Sequence, residues 1–152
     1  MQSSARESRN VEHRITDWLR LRQQILVKIC SIHELPLKEQ TLPPGRRKID
    51  QLCELLIDYI SAGHFEIYHH LLDAFGEQSP ELFNQFNSIL KEIETSTDEA
   101  IAFNDRYEFC TDSLIDEQFG DRLSALTESL IERFEMEDTI FSQANGDRSL
   151  SA

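Results

Sequence analysis

Four long stretches of this chain place apolar residues three and four positions apart, and this spacing constrains the fold more than any other feature. The first stretch starts at Val11, the second runs from about Arg46 to about Phe75, the third runs from Pro80 to about Phe103, and the fourth comes after residue 112, with Ile115 as its first core position. Gly and Pro are scarce, at five and four of 152 residues, so breakers between short strands are few. The pattern predicts an all-α fold, specifically an antiparallel four-helix bundle with long amphipathic helices.

The apolar positions also predict which side of each helix is buried. The predicted core positions of the first helix are Val11, Ile15, Trp18, Leu19, Ile25, Leu26 and Ile29. Those of the second helix are Ile49, Leu52, Leu56, Tyr59, Ile60, Gly63, Ile67 and Leu71. Gly63 lies within the second set, where it either permits close helix contact or marks a bend.

The domain boundaries can be placed from composition. Residues 11–142 are expected to form a single helical-bundle domain, with a flexible N-terminus over 1–10 and a flexible C-terminal tail over 143–152. Prolines break a connector over 33–46, and Ser79 before Pro80 is a strong helix-start signal. The polar N-terminus, three scattered cysteines and the lack of a long apolar run predict a cytoplasmic protein without a membrane partner.

Charge is distributed unevenly along the chain. Residues 1–50 hold ten Lys/Arg against six Asp/Glu, whereas residues 51–152 hold five against twenty-two, for a net charge of −13. Such an acidic body repels nucleic acid phosphates and attracts basic surfaces at long range. The alternative interpretation is that the net charge only keeps the protein soluble. Three acids near the end of the fourth helix either form a solvated end or anchor Arg22 or a basic partner: Glu135, Glu137 and Asp138.

Motifs for chemistry are weak. Glu66 and His69 fit the Glu-x-x-His spacing of di-metal bundles once, without a second copy. His64, His69 and His70 are candidates for phosphotransfer, but Phe-Glu-Ile comes after His64 where Lys and Gly would be expected. The sequence therefore predicts no enzyme, no catalytic residue, no metal and no cofactor. The alternative is a helical phosphotransfer or metal-binding bundle.

The second helix carries an unusual second face. At 100° per residue, seven residues fall together opposite its core stripe, and they mix acids with apolar side chains. Either this helix is buried on both sides, or the face is an apolar anchor ringed by acids that binds a basic protein. The seven candidate partner-binding residues are Glu54, Asp58, Ser61, Ala62, Phe65, His69 and Leu72.

The segment 58–68, Asp-Tyr-Ile-Ser-Ala-Gly-His-Phe-Glu-Ile-Tyr, resembles the signature of the Rsd/AlgQ family of regulators of the bacterial primary sigma factor. The segment 17–22, Asp-Trp-Leu-Arg-Leu-Arg, resembles the first helix of that family. The segment 132–138, Glu-Arg-Phe-Glu-Met-Glu-Asp, resembles its last helix. The similarity covers about residues 10–141, with the three motifs in the order of the family.

This resemblance implies a helical bundle that acts as an anti-sigma factor. The partner would be the primary (sigma 70 class) sigma factor, chiefly its C-terminal domain that reads the −35 promoter element, with the RNA polymerase core as a further participant. The family's binding residues correspond to Asp58, Ser61 and Phe65 of this chain. Binding would reduce use of the primary sigma factor by RNA polymerase and favour alternative ones. A module of the same family retargeted to another basic protein is the remaining alternative.

Overall fold

The computed structural model describes residues 2–40, 43–108 and 118–150, with side chains from residue 12 onward except 37–38, 43–44, 65, 74–78 and 144–150. All regular secondary structure in these ranges is helical, so the predicted all-α class is confirmed. The elements are α1 (Gln2–His33), α2 (Leu37–Gln40), α3 (Pro43–Ala62), a π-turn (Gly63–Ile67), α4 (Tyr68–Gln78), α5 (Pro80–Tyr107) and α6 (Phe119–Leu150).

Local hydrogen bonds define two of the helix boundaries. Ser79 caps α5, because its Oγ accepts a bond from the Leu82 N–H at 3.5 Å, as the Ser-Pro signal predicted. After α1, the buried Gln40 donates through Nε2 to the carbonyls of Ile32 at 3.2 Å and Leu35 at 3.1 Å. The connector expected over 33–46 therefore contains a short helix, α2, tied back to the end of α1.

The helices extend beyond several predicted boundaries. The backbone is helical through most of 1–10 and through 143–150, where we expected flexible ends, and their flexibility stays a prediction. α5 continues to Tyr107, four residues past its predicted end at Phe103. Ile115, the first core residue predicted for the fourth helix, lies outside the described residues.

The chain divides into two compact units. The first comprises residues 1–68 and 104–116, and the second comprises residues 69–103 and 117–152. In the first unit Lys28 Nζ donates to Gln51 Oε1 at 2.7 Å, and Ser31, three residues later in α1, contacts Lys48, three residues earlier in α3. The two helices therefore pack antiparallel. The core of this pair contains Trp18, Ile25, Ile29, Ile49, Leu52, Leu56, Tyr59 and Ile60.

The predicted core stripe is confirmed for the second helix and only in part for the first, where Trp18, Ile25 and Ile29 are buried but Ile15 and Leu26 are half-buried. All eight positions predicted for the second helix are buried, from Ile49 to Leu71. Leu19, however, is 38% exposed although we expected it in the core. It comes directly after the buried Trp18, and a step of about 100° turns it away from the face on which Trp18 packs.

Gly63 serves both of the purposes that the sequence left open. A Cβ at Gly63 would lie 3.2 Å from Trp18 Cζ2 and 3.2 Å from Tyr68 Cζ, so the missing side chain permits close packing. The π-turn also begins at Gly63. A π-turn holds one extra residue and rotates the next helical segment by about 100° relative to a continuous α-helix. Tyr68, absent from the predicted stripe, is only 5% exposed, and its ring packs edge-on against Trp18.

A buried ion pair organises the second unit. Arg133 Nε lies 3.4 Å from Glu137 Oε2 one turn along α6, and both side chains are at most 1% exposed. Arg133 Nη1 also donates to Ser96 Oγ at 3.2 Å and to Thr97 Oγ1 at 2.8 Å on α5. For Glu137, the interpretation as part of a solvated acidic end is therefore wrong.

We expect Gly63→Ala to lower the free energy of unfolding by about 1 kcal/mol. Crowding two buried rings costs about 1–3 kcal/mol, and this exceeds the gain of about 1 kcal/mol that Ala brings to a helix. Urea denaturation measures the difference. Gly120→Ala on α6 is the control, because nothing lies within 4 Å of the added methyl group and stability should be unchanged or slightly raised. Equal effects at both glycines would contradict the packing role of Gly63.

We expect Glu137→Ala to lower the free energy of unfolding by about 3 kcal/mol or more, because it leaves the Arg133 charge buried without this partner. The double variant Arg133→Met/Glu137→Leu should lower the free energy of unfolding much less, since it removes both charges and fills the site with apolar side chains. Thermal and urea denaturation provide the comparison. Glu135→Ala, at an exposed neighbour on the same helix, should stay within about 0.5 kcal/mol of the wild type. A similar loss at both glutamates would contradict this account.

Candidate protein-binding face

The outer side of α3 presents part of the predicted face to solvent. Glu54 and Asp58 are exposed, and Ser61 and Ala62 are half-buried. Glu54 and Asp58 are four residues apart, so they lie one turn apart on the same side of the helix. Two carboxylates next to small, partly covered residues leave α3 open to a basic partner at this position.

A groove runs between α1 and α3 beside these carboxylates. It has a volume of about 690 Å³, and α3 contributes Gln51, Glu54, Leu55 and Asp58 to it. The residues that α1 contributes are Arg20, Gln23, Gln24, Val27 and Lys28. Two of the seven predicted face residues, Glu54 and Asp58, therefore line this groove.

Aromatic packing fixes the segment of α3 that carries Asp58. The rings of Trp18 and Tyr59 stack with centroids 4.7 Å apart and planes 2° apart, and the indole N–H donates to the Tyr59 carbonyl at 3.0 Å. Tyr68 meets the same indole edge-on, at 5.9 Å and 88°. Since Tyr59 is the next residue after Asp58, the backbone of the exposed acid is held by a buried contact of its neighbour.

Arg22 joins this aromatic cluster. Its Nε donates to the Tyr59 hydroxyl at 3.4 Å, and its Cζ lies 5.7 Å from the centroid of a Trp18 ring. A guanidinium near the face of an aromatic ring gains a cation–π attraction. Arg22 lies between the predicted core positions Leu19 and Ile25 of α1, and its charged side chain is thus accommodated within the packing of α1 against α3.

The remaining predicted face residues come after α3. Phe65 has its backbone in the π-turn, while its side chain lies outside the described part of the structure. His69 and Leu72 belong to the second unit, where His69 is exposed with Nε2 3.7 Å from Asp73 Oδ2, and Leu72 is half-buried. Their grouping with Asp58 assumes a continuous α-helix, and a π-turn interrupts that phase. All three stay predictions.

The candidates for chemistry are surface histidines. His64, His69 and His70 are exposed. Among the residues that the structure describes, no group of three or more His, Cys, Asp or Glu side chains is placed to hold a metal ion. Within the same residues, no helix is long and apolar enough to cross a membrane.

Two features escaped the sequence reasoning. The apolar side chain of Val27 is 63% exposed in the groove of the first unit. Helical spacing alone did not identify Val27 as a functional residue. In the second unit, a groove between α5 and α6 is rimmed by four exposed glutamates: Glu92, Glu99, Glu128 and Glu132. These glutamates place part of the predicted negative charge on a continuous surface.

Comparison of the sequence with known families decides the family. Residues 1–145 match the family model described as "Regulator of RNA polymerase sigma(70) subunit, Rsd/AlgQ". The chain belongs to the Rsd/AlgQ family. The resemblance found in three motifs is thereby confirmed, and so is the predicted function as a regulator of the sigma(70) subunit, an anti-sigma role. Rsd/AlgQ is a family of sigma-factor regulators and not a family of enzymes.

Relatives of this Rsd/AlgQ protein carry the name "Regulator of sigma D". The one from Yersinia pseudotuberculosis serotype O:1b (strain IP 31758) is 33% identical over 136 residues, which cover 86% of this chain and 78% of the relative. The one from Yersinia enterocolitica serotype O:8 is 31% identical, covering 86% and 79%. That of Enterobacter sp. (strain 638) is 30% identical over 132 residues, covering 84% and 77%. No solved structure is significantly similar to the chain.

Proposed function

We propose that this protein binds the C-terminal, −35-reading domain of the primary sigma factor through a face centred on Asp58, Ser61 and Phe65. The observation that carries the proposal is the exposure of the Glu54 and Asp58 carboxylates on α3, beside an open groove and at the start of the family motif. The surrounding contacts in this proposal are Glu54, Ala62, His69 and Leu72.

Each central residue has a physical role. A domain that reads promoter DNA carries Arg and Lys for phosphate contacts, and Asp58 would accept a charge-assisted hydrogen bond from one of them. Ser61 is small and half-buried, so it leaves room for the partner backbone to approach. Phe65 would fill an apolar pocket, as aromatic anchors do at interface hot spots.

The charge of the chain supports fast association. Residues 51–152 carry twenty-two acids and five basic residues, and such a field draws a cationic surface toward it at long range. A bound sigma domain would have its DNA-reading surface covered, so it would lose promoter DNA or the polymerase core as a partner. Polymerase would then become available to alternative sigma factors. This action requires no catalysis, and it would take place in the cytoplasm with the transcription machinery.

Calorimetric titration into the isolated C-terminal domain of the primary sigma factor tests the face. We expect Asp58→Asn and Phe65→Ala each to weaken binding about tenfold or more, the effect of losing a charged or aromatic hot spot. Glu94→Gln is the matched control, because it removes one exposed charge from α5 and should change affinity less than about twofold. Equal weakening by all three variants would reduce the effect to net charge. The absence of any complex with the wild type would contradict the proposal.

Salt should slow association more than it speeds dissociation. Raising ionic strength from about 0.05 M to about 0.5 M shortens the screening length several-fold, so the long-range attraction is lost first. Surface plasmon resonance of the same pair separates the two rate constants. An association rate independent of salt would show that the acidic body has no part in the encounter.

A further inference from the structure

Val27 is the most exposed large apolar residue among those that the structure describes. Its side chain is 63% exposed, compared with 45% for Ile131 and 40% for Ile101. It lies in the groove between α1 and α3, together with Glu54 and Asp58. An exposed aliphatic side chain that shares a groove with two carboxylates has the composition of an interface anchor with a polar rim.

The antiparallel register locates Val27 relative to those acids. Lys28 faces Gln51 and Ser31 faces Lys48, so each residue forward along α1 corresponds to one residue backward along α3. At a rise of 1.5 Å per residue, Val27 lies about 3 Å along the groove from the level of Glu54 and about 9 Å from that of Asp58. Half-buried Leu55 lines the groove between these acids.

We infer that the sigma-binding face continues across this groove onto α1, with Val27 as its apolar contact. The inference rests on the proposed function and names the partner's chemistry further. The docked segment is a helix that places an apolar side chain over Val27 and an Arg or Lys about 9 Å further along, against Asp58. On a helix this distance corresponds to a separation of about six or seven residues.

The charge pattern of the groove selects this occupant. The carboxylates of Glu54 and Asp58 lie on α3, whereas Lys28 is bonded to Gln51 across the groove and Arg20 Nη1 lies 3.8 Å from Asp17 Oδ1 on its own helix. Amides of Gln23, Gln24 and Gln51 complete the lining. A cationic side chain is therefore stabilised near Asp58. The level of Val27 lies between those of Lys28 and Glu54, whose opposite charges favour neither sign there, so the exposed side chain of Val27 favours an apolar one.

Titration of the sigma C-terminal domain into Val27→Ser and Gln24→Trp variants tests the inference. The first removes the apolar contact, and the second fills the groove with a bulky ring. Both positions are exposed, so the fold should be preserved, which circular dichroism and the melting temperature establish. We expect Val27→Ser to weaken binding about fivefold and Gln24→Trp about tenfold or more. Ile131→Ser, at an exposed aliphatic residue of α6, is the matched control and should leave affinity unchanged.

The outcomes separate the two proposals. Weakening by both α1 variants but not by Ile131→Ser supports the extended face. If Asp58→Asn weakens binding while neither α1 variant does, the extension is wrong and the proposed function stands. If wild-type protein forms no complex with the domain, the proposed function fails and this assignment of the groove fails with it. Equal weakening by Ile131→Ser also contradicts the extension, because the loss would then not depend on the groove.

Discussion

The contact between Trp18 and Tyr59 is the interaction on which the candidate face depends. It combines stacking at 4.7 Å with a 3.0 Å hydrogen bond from the indole to the Tyr59 carbonyl. Such a bond joins a side chain of α1 to the backbone of α3, so it fixes both the separation and the register of the two helices. Gly63 completes the arrangement, because any larger residue would meet the same indole. Asp58 and the groove are therefore positioned by the buried contacts of Tyr59, the next residue in the chain.

Much of this arrangement could be predicted from the sequence because it depends on helical spacing. All eight predicted core positions of the second helix are buried, and Glu54 and Asp58, placed opposite them, are exposed. The π-turn could not be predicted in this way, because helical periodicity assumes a constant rotation per residue and Gly63 alone allowed two interpretations. The buried state of Tyr68 was missed because its ring packs against Trp18 of another helix, and the face assignments of His69 and Leu72 depend on the helical phase.

The Arg133–Glu137 pair illustrates a second limit of sequence reasoning. Its spacing of four residues is visible in the sequence and is equally compatible with an exposed pair. What distinguishes the buried pair is the hydroxyl groups of Ser96 and Thr97, which lie 37 and 36 residues away in the chain. A buried guanidinium needs several acceptors, and those acceptors come from another helix. Val27 was missed for a related reason, because its exposure depends on how α1 packs against α3.

The single tryptophan of the chain also makes the first unit optically distinct. Trp18 is the only indole in 152 residues, and it lies in the first unit between Tyr59 and Tyr68. Its fluorescence therefore reports the integrity of that unit alone, whereas far-ultraviolet circular dichroism reports helices of both units. Comparing the two signals during denaturation reveals whether the units lose structure together. The same residue that fixes the register of α1 and α3 thus gives each native preparation an internal, label-free probe of the region that carries Asp58.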